Sequence, residues 1–116
     1  PDYLQGASLL PILMGESKSS HHRDFVRSEY FDALDPHFTG GEGTFATMFR
    51  DARYKLCVYH GKDIGELYDL ENDPWEHENL WDVPAETETK NQLLARSFDA
   101  HVLLTTDMGS RRIAPM

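Results

Sequence analysis

Positive charge is scarce in this sequence. Eleven lysines and arginines stand against 20 aspartates and glutamates, a formal net charge of −9. An acidic surface repels phosphate backbones and anionic headgroups, so neither nucleic acid nor a membrane surface suits the chain as a whole. A local basic patch remains free to hold an anion. Cysteine is scarcer still: Cys57 is the one thiol, so no internal disulfide can form and compartment cannot be read from cysteine usage. Long apolar runs are also missing. The longest cluster, Leu9-Leu10-Pro11-Ile12-Leu13-Met14, falls well short of the roughly 18–20 residues a bilayer span takes, and it lacks the basic flank of a signal peptide. The chain starts at Pro1 without an initiator Met, as expected of a trimmed piece whose targeting signal would lie upstream.

Catalytic signatures are absent too. There is no Gly-x-Ser-x-Gly elbow, and Gly40-Gly41-Glu42-Gly43 lacks the Lys-Ser/Thr that would make it a phosphate cradle. Cys57 sits in Lys55-Leu56-Cys57-Val58-Tyr59, a strand interior, and reads as a small buried thiol. His21 and His22 are adjacent and so diverge on regular structure, whereas metal ligation favours spacings of three or four. Glu76-His77-Glu78 and the carboxylates of Asp69, Glu71 and Asp73 read as solvated turn residues; no metal site is expected.

What is present is a single-domain length of 116 residues with a modest core. Residues 1–20 read as a short apolar turn or helix and a polar break at Gly15 to Ser20. Phe25 to Phe31, Phe45 to Phe49, Arg53 to His60 and Glu66 to Leu70 read as strands, rich in aromatic and β-branched residues or alternating. Asp51-Ala52 makes a turn, Gly61 to Gly65 a hairpin loop, and Asn72-Asp73-Pro74 ends the fourth strand. Glu76 to Trp81 forms a helical turn, and Trp75 and Trp81 fold the connection back onto the sheet. Asp82 caps a helix running from Pro84 to near Leu104, with Leu94, Phe98, His101 and Val102 on one stripe and Leu93 beside them. The fold class is therefore α+β: a small antiparallel sheet of about four strands with one long C-terminal helix packed across it. The basic residues Arg50, Arg53, Lys55, His60 and Lys62 gather around the second hairpin, with Lys62 in its loop and His60 at its base. Positive charge there suits an anionic substrate group.

One stretch is more specific. Arg53-Tyr54-Lys55-Leu56, then Glu66-Leu67-Tyr68-Asp69-Leu70-Glu71-Asn72-Asp73-Pro74, then Glu78-Asn79-Leu80, resembles the C-terminal region of sulfatases of the alkaline-phosphatase-like superfamily. Trp75 stands where that family often has Gly, and Gln5-Gly6-Ala7-Ser8-Leu9-Leu10-Pro11 looks like the join from its large domain. The resemblance implies a parent hydrolase of sulfate esters. Such a parent carries a formylglycine made from Cys/Ser-x-Pro/Ala-x-Arg and a divalent cation, usually calcium, both in an N-terminal domain missing here. Cys57, followed by Val58-Tyr59-His60-Gly61, does not match that signature, so no catalytic residue carries over. Residues 1–20 then read as a remnant of the connection from the catalytic domain, and 21–116 as the subdomain itself. Its expected partners are that missing domain and, through the parent, a sulfated substrate. The expected cleft contacts are His60, Lys62, His21, His22 and Arg23. The resemblance further implies export to a periplasmic or extracellular home, and apolar surface stripped of its large domain implies homodimerisation of the isolated piece. The competing readings are a free-standing carbohydrate- or protein-interaction module, and the same subdomain of a phosphodiester or phosphonate hydrolase.

Overall fold

The computed structural model describes residues 6–16, 22–32 and 43–106. They fall into two compact units: residues 23–94, and the described parts of 1–22 with those of 95–116.

The larger unit carries four antiparallel strands: β1 (Val26–Phe31), β2 (Phe45–Arg50), β3 (Tyr54–Tyr59) and β4 (Ile64–Asp69), paired in sequence order. One face carries Phe49 opposite Leu56, and Leu56 opposite Leu67. These three side chains are at most 1% exposed and form the centre of the core. Burying each contributes on the order of 1.5–3 kcal/mol. Phe25 stacks on Phe49 at a ring distance of 5.2 Å, closing the core on the β1 side.

The β2–β3 turn needs no glycine because Asp51 builds it. Its Oδ1 accepts from the backbone N–H of Arg53 at 2.9 Å and of Tyr54 at 2.7 Å, an Asx turn. The fourth strand begins at Ile64, earlier than Glu66, because Ile64 and Gly65 continue the ladder opposite Tyr59 and Val58. Gly61, at φ +75°, takes the left-handed turn position between β3 and β4.

Residues 70–83 form a connection rather than the expected helical turn over Glu76 to Trp81; Glu76 itself adopts φ +59°. Only half of the tryptophan expectation holds. Trp75 is 79% exposed. Trp81 folds back onto β4, with its ring so close that a Cβ at Gly65 would lie 2.4 Å from it. Lys90 clamps the ring, its Nζ 4.7 Å from the centroid and donating to the Trp81 carbonyl at 2.6 Å. Gly65→Ala is therefore expected to destabilise the domain by about 1–3 kcal/mol through overpacking. A melting-temperature comparison checks this, and adding Trp81→Leu to Gly65→Ala should recover part of the loss.

A 3₁₀ turn (Pro84–Glu86) leads into helix α2 (Thr87–Thr106). Val83, not Asp82, holds the N-cap position, without a side-chain cap. The buried stripe of α2 also differs from the expected one. Leu93 and Ala100 are buried, Leu94 and His101 are half-buried, and Phe98 is 67% exposed with Val102 also exposed. In the second unit, helix α1 (Leu10–Leu13) is one short turn; Ser8 Oγ accepts from the Leu10 N–H at 3.2 Å, and Gly15 ends the turn at φ +72°. The chain is thus α+β, a four-stranded antiparallel sheet with one long C-terminal helix. No helix among the described residues is long and apolar enough to cross a membrane.

Candidate functional site

Three polar groupings emerge, and they do different things. The first lies at the β3 start and β4 end. Arg53 forks onto Asp69, Nη2 to Oδ2 at 2.7 Å and Nε to Oδ1 at 3.1 Å. Asn72 Nδ2 and the Glu71 N–H also donate to that carboxylate, at 2.9 and 3.2 Å. Arg53 beside it, then the Asn72 and Glu71 N–H groups, hold the Asp69 carboxyl down at about 2, against the opposing effect of burial. Every partner is internal, so this grouping ties the strand ends together. Asn79 does the same along the β4 edge. Its Oδ1 accepts from the Leu67 and Trp81 N–H groups, each at 3.0 Å, its Nδ2 donates to the Gly65 carbonyl at 3.1 Å, and the Leu80 N–H reaches the Leu67 carbonyl at 2.8 Å. The segment through Asn79 and Leu80 thus stands in for a fifth strand.

The second grouping lies on the opposite sheet face. Tyr59 donates to Glu66 at 2.7 Å and Tyr68 to the same carboxylate at 3.3 Å, while Lys55 pairs with Glu76. The hydrogen bond to Glu66, and then burial, push the Tyr59 hydroxyl up to about 12. Burial raises the Cys57 thiol between them, so it is poorly suited to act as a thiolate.

The third grouping lies at the far end of the sheet from Asp69. His60 continues the ladder past β3, donating its N–H to the Phe45 carbonyl at 2.7 Å, and its Nε2 lies 2.9 Å from Thr47 Oγ1. Both His60 and Lys62 are exposed, and Lys62 is anchored through its N–H to the Tyr59 carbonyl at 3.2 Å. Beside them on the core-side face, Phe31 pairs with Phe45, their rings 6.2 Å apart and 49% and 48% exposed.

Of the residues expected at a cleft, the structure brings His60 and Lys62 into one turn. Arg23 does not join them. It precedes β1 at the Val26 end, which pairs with Arg50, whereas His60 lies beyond the Phe31–Phe45 end. Six extended residues separate the two ends by about 17 Å. His22 belongs to the other compact unit, and His21 lies outside the described residues. Sequence reasoning missed Thr47, Phe31 and Phe45. The signal that could have found them is alternation: counting back along β2 places Thr47 and Phe45 on the face that carries His60. Among the described residues no group of three or more His, Cys, Asp or Glu could hold a metal ion.

Comparison with known proteins places these features in context. A model of the C-terminal region of N-sulphoglucosamine sulphohydrolase matches residues 1–101. The chain is 37% identical over 75 residues to a Δ4,5-hexuronate-2-O-sulfatase of Bacteroides thetaiotaomicron, covering 65% of this chain and 14% of that enzyme. Among solved structures, a 2-O GAG sulfatase superposes with a TM-score of 0.72 at 28% identity, over 97% of this chain and 23% of the other. A phosphonate monoester hydrolase of Silicibacter pomeroyi superposes with a TM-score of 0.68 at 26% identity, over 93% and 22%. The chain spans less than half the length of the curated relatives it matches, 43% of a Haemophilus influenzae protein and 14% of the Bacteroides enzyme.

Proposed function

Because the chain belongs to the N-sulphoglucosamine sulphohydrolase C-terminal family, we propose that it is the C-terminal subdomain of a hydrolase that cleaves sulfate esters on sugars, inactive alone, and that its β3–β4 turn borders the substrate cleft of the parent. The carrying observation is the exposed turn that brings the His60 imidazole and the Lys62 ammonium together, beside Asp63, on a chain whose net charge is −9. Lys62 and a His60 N–H offer hydrogen-bond donors to a sulfated group on a chain whose overall charge disfavours anions. Relatives that act on a hexuronate 2-O-sulfate and on GAG chains support a sulfated saccharide as the substrate class.

The calcium ion and formylglycine of the sulfatase reaction belong, in this reading, to the rest of the parent. The described residues fit neither: they hold no metal-ligand cluster, and Cys57 sits mid-strand with a raised pKa and without the Pro/Ala and Arg that the modification requires. No bond-breaking step is therefore assigned to this chain. What it supplies is the rigid sheet end that holds the turn. The exposed apolar residues Leu13, Phe98 and Leu103 suit contact with the remainder of the parent or, in the isolated chain, with a second copy. Export from the cytoplasm is part of the same reading and rests on family resemblance alone.

The test is alanine substitution at His60 and Lys62 in the full-length enzyme. The double variant is expected to lose about tenfold or more in kcat/KM on a sulfated saccharide, the scale of losing one or two charge-assisted hydrogen bonds. Unchanged kcat/KM across substrates would overturn the cleft assignment. A second reading is favoured by the structural likeness to a phosphonate monoester hydrolase. Assaying the same enzyme on a sulfate monoester and a phosphonate monoester separates the two.

A further inference from the structure

The His60–Lys62 corner is not isolated. Phe31, Phe45, Thr47 and His60 lie at one end of one sheet face, because Phe31 pairs with Phe45, Phe45 hydrogen-bonds the backbone of His60, and Thr47 lies two residues further along β2. The three strands β1, β2 and β3 set this patch about 10 Å across. The Phe31 and Phe45 rings are tilted by 32° to each other and half exposed, an apolar shelf at a sheet end. With Nε2 engaged by Thr47, the His60 ring is held, and among the described residues Nδ1 has no hydrogen-bond partner. If Thr47 donates to a neutral ring, Nδ1 carries the proton; if the ring is charged, both nitrogens carry protons and Thr47 accepts. In both of these forms Nδ1–H is a donor for an anion; in the remaining tautomer Nε2–H donates to Thr47 and Nδ1 accepts. Of the other charges near the patch, Glu29 lies opposite Thr47 and is paired with Arg27, and Asp63 follows Lys62 in the turn.

We propose that this end of the sheet is a sugar subsite: Phe31 and Phe45 take the apolar face of a pyranose ring of a sulfated saccharide, while His60, oriented by Thr47, and Lys62 take an anionic group on that ring. An aromatic shelf beside a lysine and a histidine matches a ligand with one apolar face and a peripheral sulfate or carboxylate. Thr47 is a positioning residue; it acts through His60. The inference rests on the sulfatase reading above and names the part of the substrate that this chain binds.

The experiment compares two substrates in the full-length enzyme carrying this chain: a sulfated disaccharide and a small aryl sulfate without a second sugar. Phe45→Ala and Thr47→Val are each expected to raise KM for the disaccharide about tenfold with kcat little changed, and to raise KM for the aryl sulfate by a clearly smaller factor. Thr47→Ser should restore the disaccharide KM, because it keeps the hydroxyl. If the wild-type enzyme hydrolyses neither sulfate ester, the sulfatase reading fails. If it hydrolyses both and the variants match it on both, the subsite is overturned. Equal loss on both substrates, accompanied by a lower melting temperature, would also overturn it, because Phe31 and Phe45 would then be seating another part of the parent chain.

Discussion

Asp69→Asn is expected to cost about 2–4 kcal/mol of stability, among the largest effects of any polar substitution in this chain. The carboxylate receives the Arg53 fork, the Asn72 amide and the Glu71 N–H, and its side chain is only 12% exposed. An amide in the same volume replaces one acceptor oxygen with an NH2 donor facing donors, leaving polar groups unmatched with little water to replace the lost bonds. In a domain whose whole stability is about 5–15 kcal/mol, that is a large share. The charge also gives the effect a pH signature. The folded carboxyl sits lowered to about 2, against an ordinary value of 3.8. Its contribution is therefore complete above about pH 4 and fades as pH falls towards 2. Urea melts across that window should show the wild type losing its advantage over Asp69→Asn. A difference that stays constant from pH 6 to pH 2 would mean the ion pair contributes nothing and only shape was lost.

The second large effect is expected at Asn79. Its side chain makes three hydrogen bonds, two accepted at Oδ1 and one donated by Nδ2 to the Gly65 carbonyl. Asn79→Ala should lower stability by about 2–3 kcal/mol, the sum of two or three net hydrogen bonds at roughly 1 kcal/mol each. It should also free the outer edge of β4. Amide exchange localises the result: the Leu67 N–H should lose protection by a larger factor than the Leu56 N–H. Equal loss at both would mean the variant merely lowers global stability and that Asn79 is not what covers the edge.

Much of this fold could be read from the chain. The strands announced themselves by aromatic and β-branched residues or, from Arg53 to His60, by alternation, and Leu56 and Leu67 pair on the buried face. The helix was plain in extent and less so in orientation. It offers two apolar rows, one through Leu93, Ala100 and Leu104 and one through Leu94, Phe98 and Val102, and side-chain size favours the second while the structure buries Leu93 and Ala100, half-buries Leu94 and Leu104, and exposes Phe98 and Val102. A stripe marked by small residues carries little hydrophobic signal even when it is the one covered. The site was half legible. His60 and Lys62 stood out by charge and by the glycine between them, but Arg23 looked like a companion only because nothing in one dimension reveals which end of a strand a residue enters. Asn79 was marked by its motif but not by its role, because a single polar side chain bonding across the chain leaves no periodic trace, and Thr47 could be reached only by counting along β2.

The connection after β4 acts as a ruler. Asp69 fixes its start through the N–H groups of Asn72 and Asp73, Asp73 Oδ2 catches the Glu78 N–H at 2.8 Å, and Asn79 must then arrive level with Leu67. One residue inserted or deleted between Leu70 and Glu78 would put the amide out of step with the strand it covers. Trp75, midway along, points into solvent and is free to vary in kind. Between the anchoring side chains of Asp69, Asp73 and Asn79, the geometry sets the number of residues more tightly than the kind of each one that faces solvent.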